Sequence, residues 1–65
     1  MKIRIAYNSL GYVFGYCNGI KIEISHKQDS FWYVYISEKY IGKFSYTYKE
    51  TNKQAFFNIV EQIFA

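Results

Sequence analysis

Apolar and polar residues alternate with a period of two up to about residue 46 and then follow a helical period to the end of the chain. The first pattern is typical of strands with one buried face, and the second of an amphipathic helix. The sequence therefore predicts a single α+β domain over 1–65, with one antiparallel meander sheet and one C-terminal helix packed on one face. The five strands are expected over about 2–7, 11–17, 20–25, 31–36 and 40–46, and the helix over about 48–64.

The turns between these strands fix which residues face each other. Asn18-Gly19 is a strong hairpin signal, because a type I′ turn needs two residues at positive φ. We expect three-residue loops at 8–10 and 37–39, with a two-residue Asn8-Ser9 turn as the competing arrangement in the first hairpin. A polar loop is expected over 26–30.

The helical segment carries an apolar stripe at positions i, i+3, i+4 and i+7, formed by Phe56, Ile59, Val60 and Ile63. Its start is expected near Thr47 or Thr51. Both Thr47-x-x-Glu50 and Thr51-x-x-Gln54 fit a capping box, in which a hydroxyl and a later side chain satisfy each other's free backbone donors.

One face of the sheet is expected to lie beneath the helix. With the loops above, Tyr7 lies opposite Gly11, Ile5 opposite Val13, Ile3 opposite Gly15, Ile36 opposite Tyr40 and Trp32 opposite Phe44. The residues that then point toward the helix are Ile3, Ile5, Val13, Gly15, Cys17, Ile20, Ile22, Ile24, Trp32, Val34, Ile36 and Phe44. Gly11, Gly15 and Gly42 are expected to let the helix approach the sheet closely. A one-residue slip in any turn would invert a strand.

The opposite face has no second helix to cover it. It is expected to carry Lys2, Arg4, Tyr12, Phe14, Tyr16, Lys21, Glu23, Phe31, Tyr33, Tyr35, Ile41 and Lys43. Six aromatic rings on an uncovered sheet exceed the apolar patch that monomers usually expose. We therefore predict a partner-binding surface with aromatic anchors and a basic rim, made of Tyr12, Phe14, Tyr16, Phe31, Tyr33, Tyr35, Lys2, Arg4, Lys21 and Lys43.

Composition narrows the setting in which this surface would act. The chain is 51% hydrophobic and 23% aromatic, which is too apolar for a disordered tail. It is rich in Lys, Ile, Asn, Tyr and Phe and poor in Arg, Ala and Pro, as coding by an AT-rich genome would produce. This favours a low-GC bacterium or one of its phages. Neither a signal peptide nor a membrane span is expected, so we predict a cytoplasmic protein, in the host cytoplasm if it is phage-encoded.

Catalytic and metal-binding groups are sparse. His26 lies in Ser25-His26-Lys27-Gln28-Asp29, where a catalytic triad is disfavoured because residues on one loop are rarely held in triad geometry; we expect a solvated loop histidine. The single Cys17 can form neither an internal disulfide nor a zinc site alone, and we expect a small buried thiol rather than a nucleophile paired with His26. We therefore predict no enzyme activity, no metal and no cofactor.

The basic residues leave a second function open. The formal charge is +3, and lysines interleaved with aromatics on an open sheet are what single-stranded nucleic-acid binders use. Against this, Arg4 is the single arginine, although arginine is the usual residue for bidentate contacts to phosphates and bases.

The segment Trp32-Tyr33-Val34-Tyr35-Ile36, followed by Tyr40-Ile41-Gly42-Lys43-Phe44 and by 47–50 at the start of a helix, resembles the C-terminal part of an AP2-type DNA-binding domain. The resemblance covers about half of the chain. It implies a sheet packed on one helix and a sheet that reads the major groove. This chain lacks the arginine-rich sheet of that family and has an extra N-terminal hairpin, so no contact residue is carried over.

The sequence thus favours a non-catalytic interaction protein, of the kind that a phage or mobile element uses to bind and inhibit a host or defence protein. The alternatives are a nucleic-acid-binding module that uses the same face, AP2-like or specific for single strands, and a homodimer whose interface is the aromatic face.

Overall fold

The computed structural model describes residues 2–26, 30–46 and 49–64, and it confirms the predicted α+β meander. One antiparallel sheet has its strands in chain order, β1-β2-β3-β4-β5. The strands are β1 (Ile3–Ser9), β2 (Tyr12–Cys17), β3 (Ile20–His26), β4 (Phe31–Ile36) and β5 (Lys39–Ser45), and they are followed by the helix α1 (Asn52–Phe64). No helix within the described ranges is long and apolar enough to cross a membrane.

The core lies between the helix and one face of the sheet, as the alternation predicts. Its buried members are Val13, Cys17, Ile22, Ile24, Trp32 and Val34 from the sheet and Ala55, Phe56, Ile59 and Val60 from α1. Trp32 and Phe56 are the largest fully buried side chains. Ile20 departs from the prediction and is 39% exposed at the start of β3, although its partner Cys17 across the Asn18-Gly19 turn is fully buried.

The second of the two predicted capping boxes begins the helix. The Thr51 amide donates to Gln54 Oε1 at 3.0 Å, and the Gln54 amide donates to Thr51 Oγ1 at 3.1 Å. The helix therefore begins at Asn52 rather than near residue 48; Thr47, of the other box, lies outside the described residues. The Asn52 side-chain amide donates to the Ser9 carbonyl at 2.6 Å, and this bond ties the start of α1 to the end of β1.

The predicted register of the first hairpin is wrong. The turn is Leu10-Gly11, with Ser9 opposite Tyr12, rather than either arrangement expected around Asn8. A bulge at Ala6 adds one residue to β1, so that Ile5 pairs with Gly15 whereas Tyr7 pairs with Phe14. Tyr7 is thereby moved away from the helix side and onto the opposite face.

The last hairpin also has a shorter loop than expected. Ser37 and Glu38 form a two-residue turn with φ values of 50° and 69°, so Ile36 pairs with Lys39 rather than with Tyr40. A bulge at Ile41 then restores the predicted pairing of Trp32 with Phe44.

The predicted role of the glycines is wrong as well. A Cβ placed on Gly15 would overlap the Arg4 carbonyl oxygen and lie 2.9 Å from the Ile5 Cα, so the atoms nearest to Gly15 belong to the neighbouring strand β1 rather than to the helix. Gly11 lies in the turn at φ 77°, with the His26 carbonyl oxygen 3.4 Å from such a Cβ. A Cβ on Gly42 would meet nothing within 4 Å among the described residues.

Candidate interaction surface

The side of the sheet opposite α1 carries the predicted contact residues, and we call it the aromatic face. It is defined by Tyr12, Phe14 and Tyr16 of β2, Phe31, Tyr33 and Tyr35 of β4, and Tyr7 and Tyr40, which the two bulges add. Along β2 and most of β4 these rings alternate with buried core residues, so each ring is half-buried by its neighbours. Tyr7 and Tyr40 are more open, at 50% and 53% exposed.

The rings on β1 and β2 form a continuous ridge. Phe14 is its centre: its ring centroid lies 6.0 Å from that of Tyr7 in a stacked pair, 6.2 Å from Tyr12 and 6.3 Å from Tyr16 in an edge-to-face pair. Such pairs contribute about 0.5–1.5 kcal/mol each beyond the burial of area. The ridge is therefore held in one arrangement before any partner arrives.

A second ridge lies on β4 and β5. Tyr40 contacts both Tyr35, at 5.5 Å between centroids, and Tyr33, at 6.3 Å. The Lys43 ammonium lies 4.1 Å from the centroid of the Phe31 ring, at the other end of this ridge. The two hairpins thus present two aromatic ridges separated by β3.

The strand between the ridges contributes a polar strip. Tyr12 donates its hydroxyl to Glu23 Oε2 at 2.6 Å, and the Lys21 ammonium lies 3.9 Å from Glu23 Oε1. The hydrogen bond to Glu23, with smaller effects of desolvation and of the nearby negative charge, raises the pKa of Tyr12 to about 12. The hydrogen bond fixes the direction of the Tyr12 hydroxyl, and the Glu23 carboxylate is already engaged by two groups.

Cationic side chains on the aromatic face contact its rings directly. The Arg4 guanidinium lies 5.0 Å from the Tyr16 ring centroid, and the Lys21 ammonium lies 5.2 Å from that of Phe14. Lys2 and Arg4 also line a pocket of about 250 Å³ with Tyr16 and Gly19, at one end of the β1–β2 ridge. All ten residues predicted for the surface are thus gathered on or at the rim of one side of the sheet.

The structure separates the groups considered for catalysis. Cys17 is fully buried beside the Asn18-Gly19 turn, whereas His26 lies at the other end of β3, where its amide donates to the Gly11 carbonyl. Cys17 pairs with Ile20, and six residue steps of extended strand, about 20 Å, separate Ile20 from His26, so Cys17 and His26 cannot form a nucleophile pair. Asp29, the third member of the loop motif, lies outside the described residues.

The expectation of a solvated loop histidine at position 26 is wrong. His26 ends β3 and is half-buried, with its ring stacked on Tyr46 at 3.7 Å between centroids and 5.5 Å from Trp32. Within the described parts of the chain, no group of three or more His, Cys, Asp or Glu residues could hold a metal ion.

Sequence reasoning misses two members of the aromatic face, Tyr7 and Tyr40. Each lies next to a bulge in an edge strand, and a bulge changes the face of the residues on one side of it. The alternation of apolar and polar residues gives no signal for either change of face, because tyrosine is found on buried faces as well as on open ones.

Comparisons with protein-family models, with curated proteins and with solved structures find no match to this chain. Inference about function therefore depends on the geometry of the surface.

Proposed function

We propose that this chain is a small non-catalytic interaction protein whose aromatic face binds another protein and inhibits it. The observation that carries the proposal is the pair of aromatic ridges on the side of the sheet away from the helix, each held by ring-to-ring packing. Side chains that are already ordered lose little conformational freedom on binding, and tyrosine supplies a large contact area at low entropic cost.

A protein partner fits the arrangement of the rings better than a nucleic acid does. Bases stack on open ring faces, whereas Tyr16, Phe14 and Phe31 each have a cation against the ring. Stacking a base on any of them would displace that cation. A protein surface can instead contact ring edges, tyrosine hydroxyls and the guanidinium together, which are the groups enriched at interface hot spots.

Charge suggests the chemistry of the partner. Lys2, Arg4, Lys21 and Lys43 surround the rings, and the Glu23 carboxylate between them is already bound by Tyr12 and Lys21. The complementary surface is therefore apolar at its centre and acidic at its rim. The composition of the chain supports a host or defence protein as the target of a phage or mobile-element factor acting in the host cytoplasm.

The proposal is tested by replacing Tyr33 and Tyr35 together with alanine. Both rings are half-buried on the aromatic face and contact Tyr40 rather than the core, so the fold should survive. A partner captured from host lysate by the unaltered protein, and resistant to nuclease, should bind the double variant about 30-fold more weakly by calorimetry, as the loss of one hot spot of about 2 kcal/mol implies.

The matched control removes two apolar side chains that lie off the face, Leu10 in the first turn and Phe57 on α1, by alanine substitution. It should leave affinity unchanged. Equal capture by the unaltered protein and by the Tyr33→Ala/Tyr35→Ala variant contradicts the proposal.

A nucleic-acid-binding function is the second candidate, because four cations lie on or beside the same face. It predicts that affinity for single-stranded DNA falls with log salt, with a slope of about 0.7 for each phosphate contacted. Replacing Arg4 and Lys43 with alanine should then flatten the slope, whereas replacing Lys49 and Lys53 at the helix start should not. A flat salt dependence excludes this candidate, and a partner lost on nuclease treatment favours it over the first.

A further inference from the structure

The strand β5 forms an open edge of the sheet. Among the described residues it pairs only with β4. The Tyr46 amide donates to the Ser30 carbonyl at 2.8 Å, and antiparallel pairing alternates from there, so the backbone groups of Phe44 and Gly42 point toward β4. Those of Lys43 and Ser45 therefore point away from the sheet, where a further strand could pair with them.

The helix is set toward the other edge. Its Asn52 side chain is bonded to the Ser9 carbonyl of β1, and the helix packs mainly on β1 and β2. This offset leaves a groove of about 740 Å³ between β5 and α1. The helix thus partly covers the edge strand β1. The edge of β5 is not covered in this way and borders the groove.

The groove combines an apolar floor with an acidic rim. Phe44 from β5 supplies the accessible part of a small apolar floor beside the buried Ala55 and Ile59 of α1, and Glu50 and Glu61 line a rim that is mostly polar. The Asn58 side-chain amide donates to Glu50 and holds that carboxylate in place. Lys43 also borders the groove, but its ammonium lies on the Phe31 ring on the aromatic face. The described residues thus form an acidic recess on a chain whose net charge is +3.

We propose that the C-terminal half of β5 and this groove bind an extended segment of a partner protein as a sixth strand, with apolar and basic side chains on its helix side. Backbone bonds to Lys43 and Ser45 supply affinity, and the floor and the rim select the side chains, as in other cases of strand addition. The inference goes beyond the aromatic face, because it uses a different surface and a different mode of recognition.

The N-terminal half of β5 is protected against the addition of a strand. Lys39 and the bulge at Ile41 are the features by which natural edge strands avoid pairing with other chains. This leaves the stretch from Gly42 to Ser45 as the part of the edge that can accept a strand, and the groove lies beside that stretch.

The test uses a fluorescein-labelled peptide, Lys-Thr-Val-Thr-Val-Thr-Lys, whose lysines and valines share one side of an extended chain. It should bind the full chain with a Kd below about 1 mM, as expected for a short unconstrained strand. A peptide with glutamate in place of both lysines should bind at least about tenfold more weakly because of the acidic rim. Binding is followed by anisotropy and by the amide shifts of β5.

Two N-methylated forms of the peptide report on strand addition itself. In one, the valine amides are methylated, and in the other, the threonine amides. Since alternate amides of an added strand face β5, one form should lose binding and the other should bind like the parent. Equal binding by both forms, or no binding of the parent peptide, overturns the proposal.

Variants of the chain check the site. Glu61→Lys should reverse the preference between the lysine and glutamate peptides, and Glu38→Lys, the same charge change in an exposed turn, should not. Ser45→Pro removes one outward donor and should weaken binding about tenfold. If Ser45→Pro fails to fold, the N-methylated peptides and Glu61→Lys still test the addition of a strand to β5. Self-association that Ser45→Pro abolishes, without peptide binding, would identify a second copy of this chain as the occupant and overturn the proposal.

Discussion

Replacing Gly15 with alanine is expected to destabilise the domain far more than a single added methyl group would suggest. The new Cβ would overlap the Arg4 carbonyl oxygen and lie 2.9 Å from the Ile5 Cα. Carbon atoms in favourable contact are about 3.5–4.0 Å apart, so β1 would have to move by about 1 Å. Both neighbours are backbone atoms held in the β1–β2 pairing, and no side-chain rotation can make room.

The magnitude follows from two costs. Overpacking of a close contact costs about 1–3 kcal/mol, and each backbone hydrogen bond lost as β1 moves costs about 1 kcal/mol more. We therefore expect a loss of about 3 kcal/mol, which for a domain of this size lowers Tm by roughly 12–24 °C. The measurement is thermal unfolding followed by circular dichroism, together with urea unfolding at 25 °C.

Gly19→Ala is the matched control for this substitution. Gly19 has a φ of 83°, but an added Cβ would meet nothing within 4 Å among the described residues. Its cost is conformational alone, about 1–2 kcal/mol. A Gly15→Ala variant that is no less stable than Gly19→Ala would show that β1 does not lie against Gly15, and the register of the first hairpin would have to be redrawn.

Two further substitutions test local features of the sheet. Glu38→Gly should stabilise the domain by about 1 kcal/mol, because Glu38 has a φ of 69° and glycine takes that conformation without strain; an unchanged or lower urea midpoint contradicts this. Glu23→Gln should lower the pKa of Tyr12 from about 12 toward 10, as measured by NMR titration of the Tyr12 ring. Because the folded-state pKa of Tyr12 is raised, the stabilisation of the fold by the Tyr12–Glu23 hydrogen bond is present below pH 10 and is lost as the pH rises toward 12. An ordinary pKa for Tyr12 in the unaltered protein would contradict the bond to Glu23.

The division of residues between the two faces could be predicted from sequence outside the two bulges, because there it depends on parity alone. The predicted pairing of Ile5 with Val13 is two residues away from the observed pairing with Gly15, and a shift of two leaves Ile3 and Ile5 on their predicted face, whereas Tyr7 and Tyr40 change face at the bulges. Burial of Val13, Ile22 and Trp32 against the helix therefore follows from the alternation, even though the register of the first hairpin is wrong.

The turns and bulges could not be predicted because a residue can move between a loop and a strand at little cost. A three-residue loop at 37–39 and a two-residue turn followed by a bulge use the same number of residues. Both arrangements place Trp32 opposite Phe44, so the hydrophobic pattern does not distinguish them. Asn18-Gly19 has no such ambiguity, because both residues readily adopt positive φ, and the structure places them at 52° and 83°.

The groove beside β5 could not be predicted from the sequence, for a different reason. The apolar stripe of α1 specifies which side of the helix is buried, but it does not specify where over the sheet the helix lies. That position is set by contacts between distant residues, such as the bond from Asn52 to the Ser9 carbonyl. The aromatic face, by contrast, could be inferred, since it requires only that the helix cover a single side.

Both candidate surfaces follow from the use of one helix to cover a five-stranded sheet. A helix is about 10 Å wide, whereas five strands span about 19 Å, so one edge of the core face is left open when the helix lies toward the other. Lys43 belongs to both surfaces, because its backbone faces the groove while its ammonium lies on Phe31. A strand added at β5 would therefore extend the β4–β5 ridge of the aromatic face by one strand. It follows that a partner able to supply both an extended segment and a complementary surface would bind across the two sites at once, and Ser45→Pro would then weaken capture through the aromatic face as well.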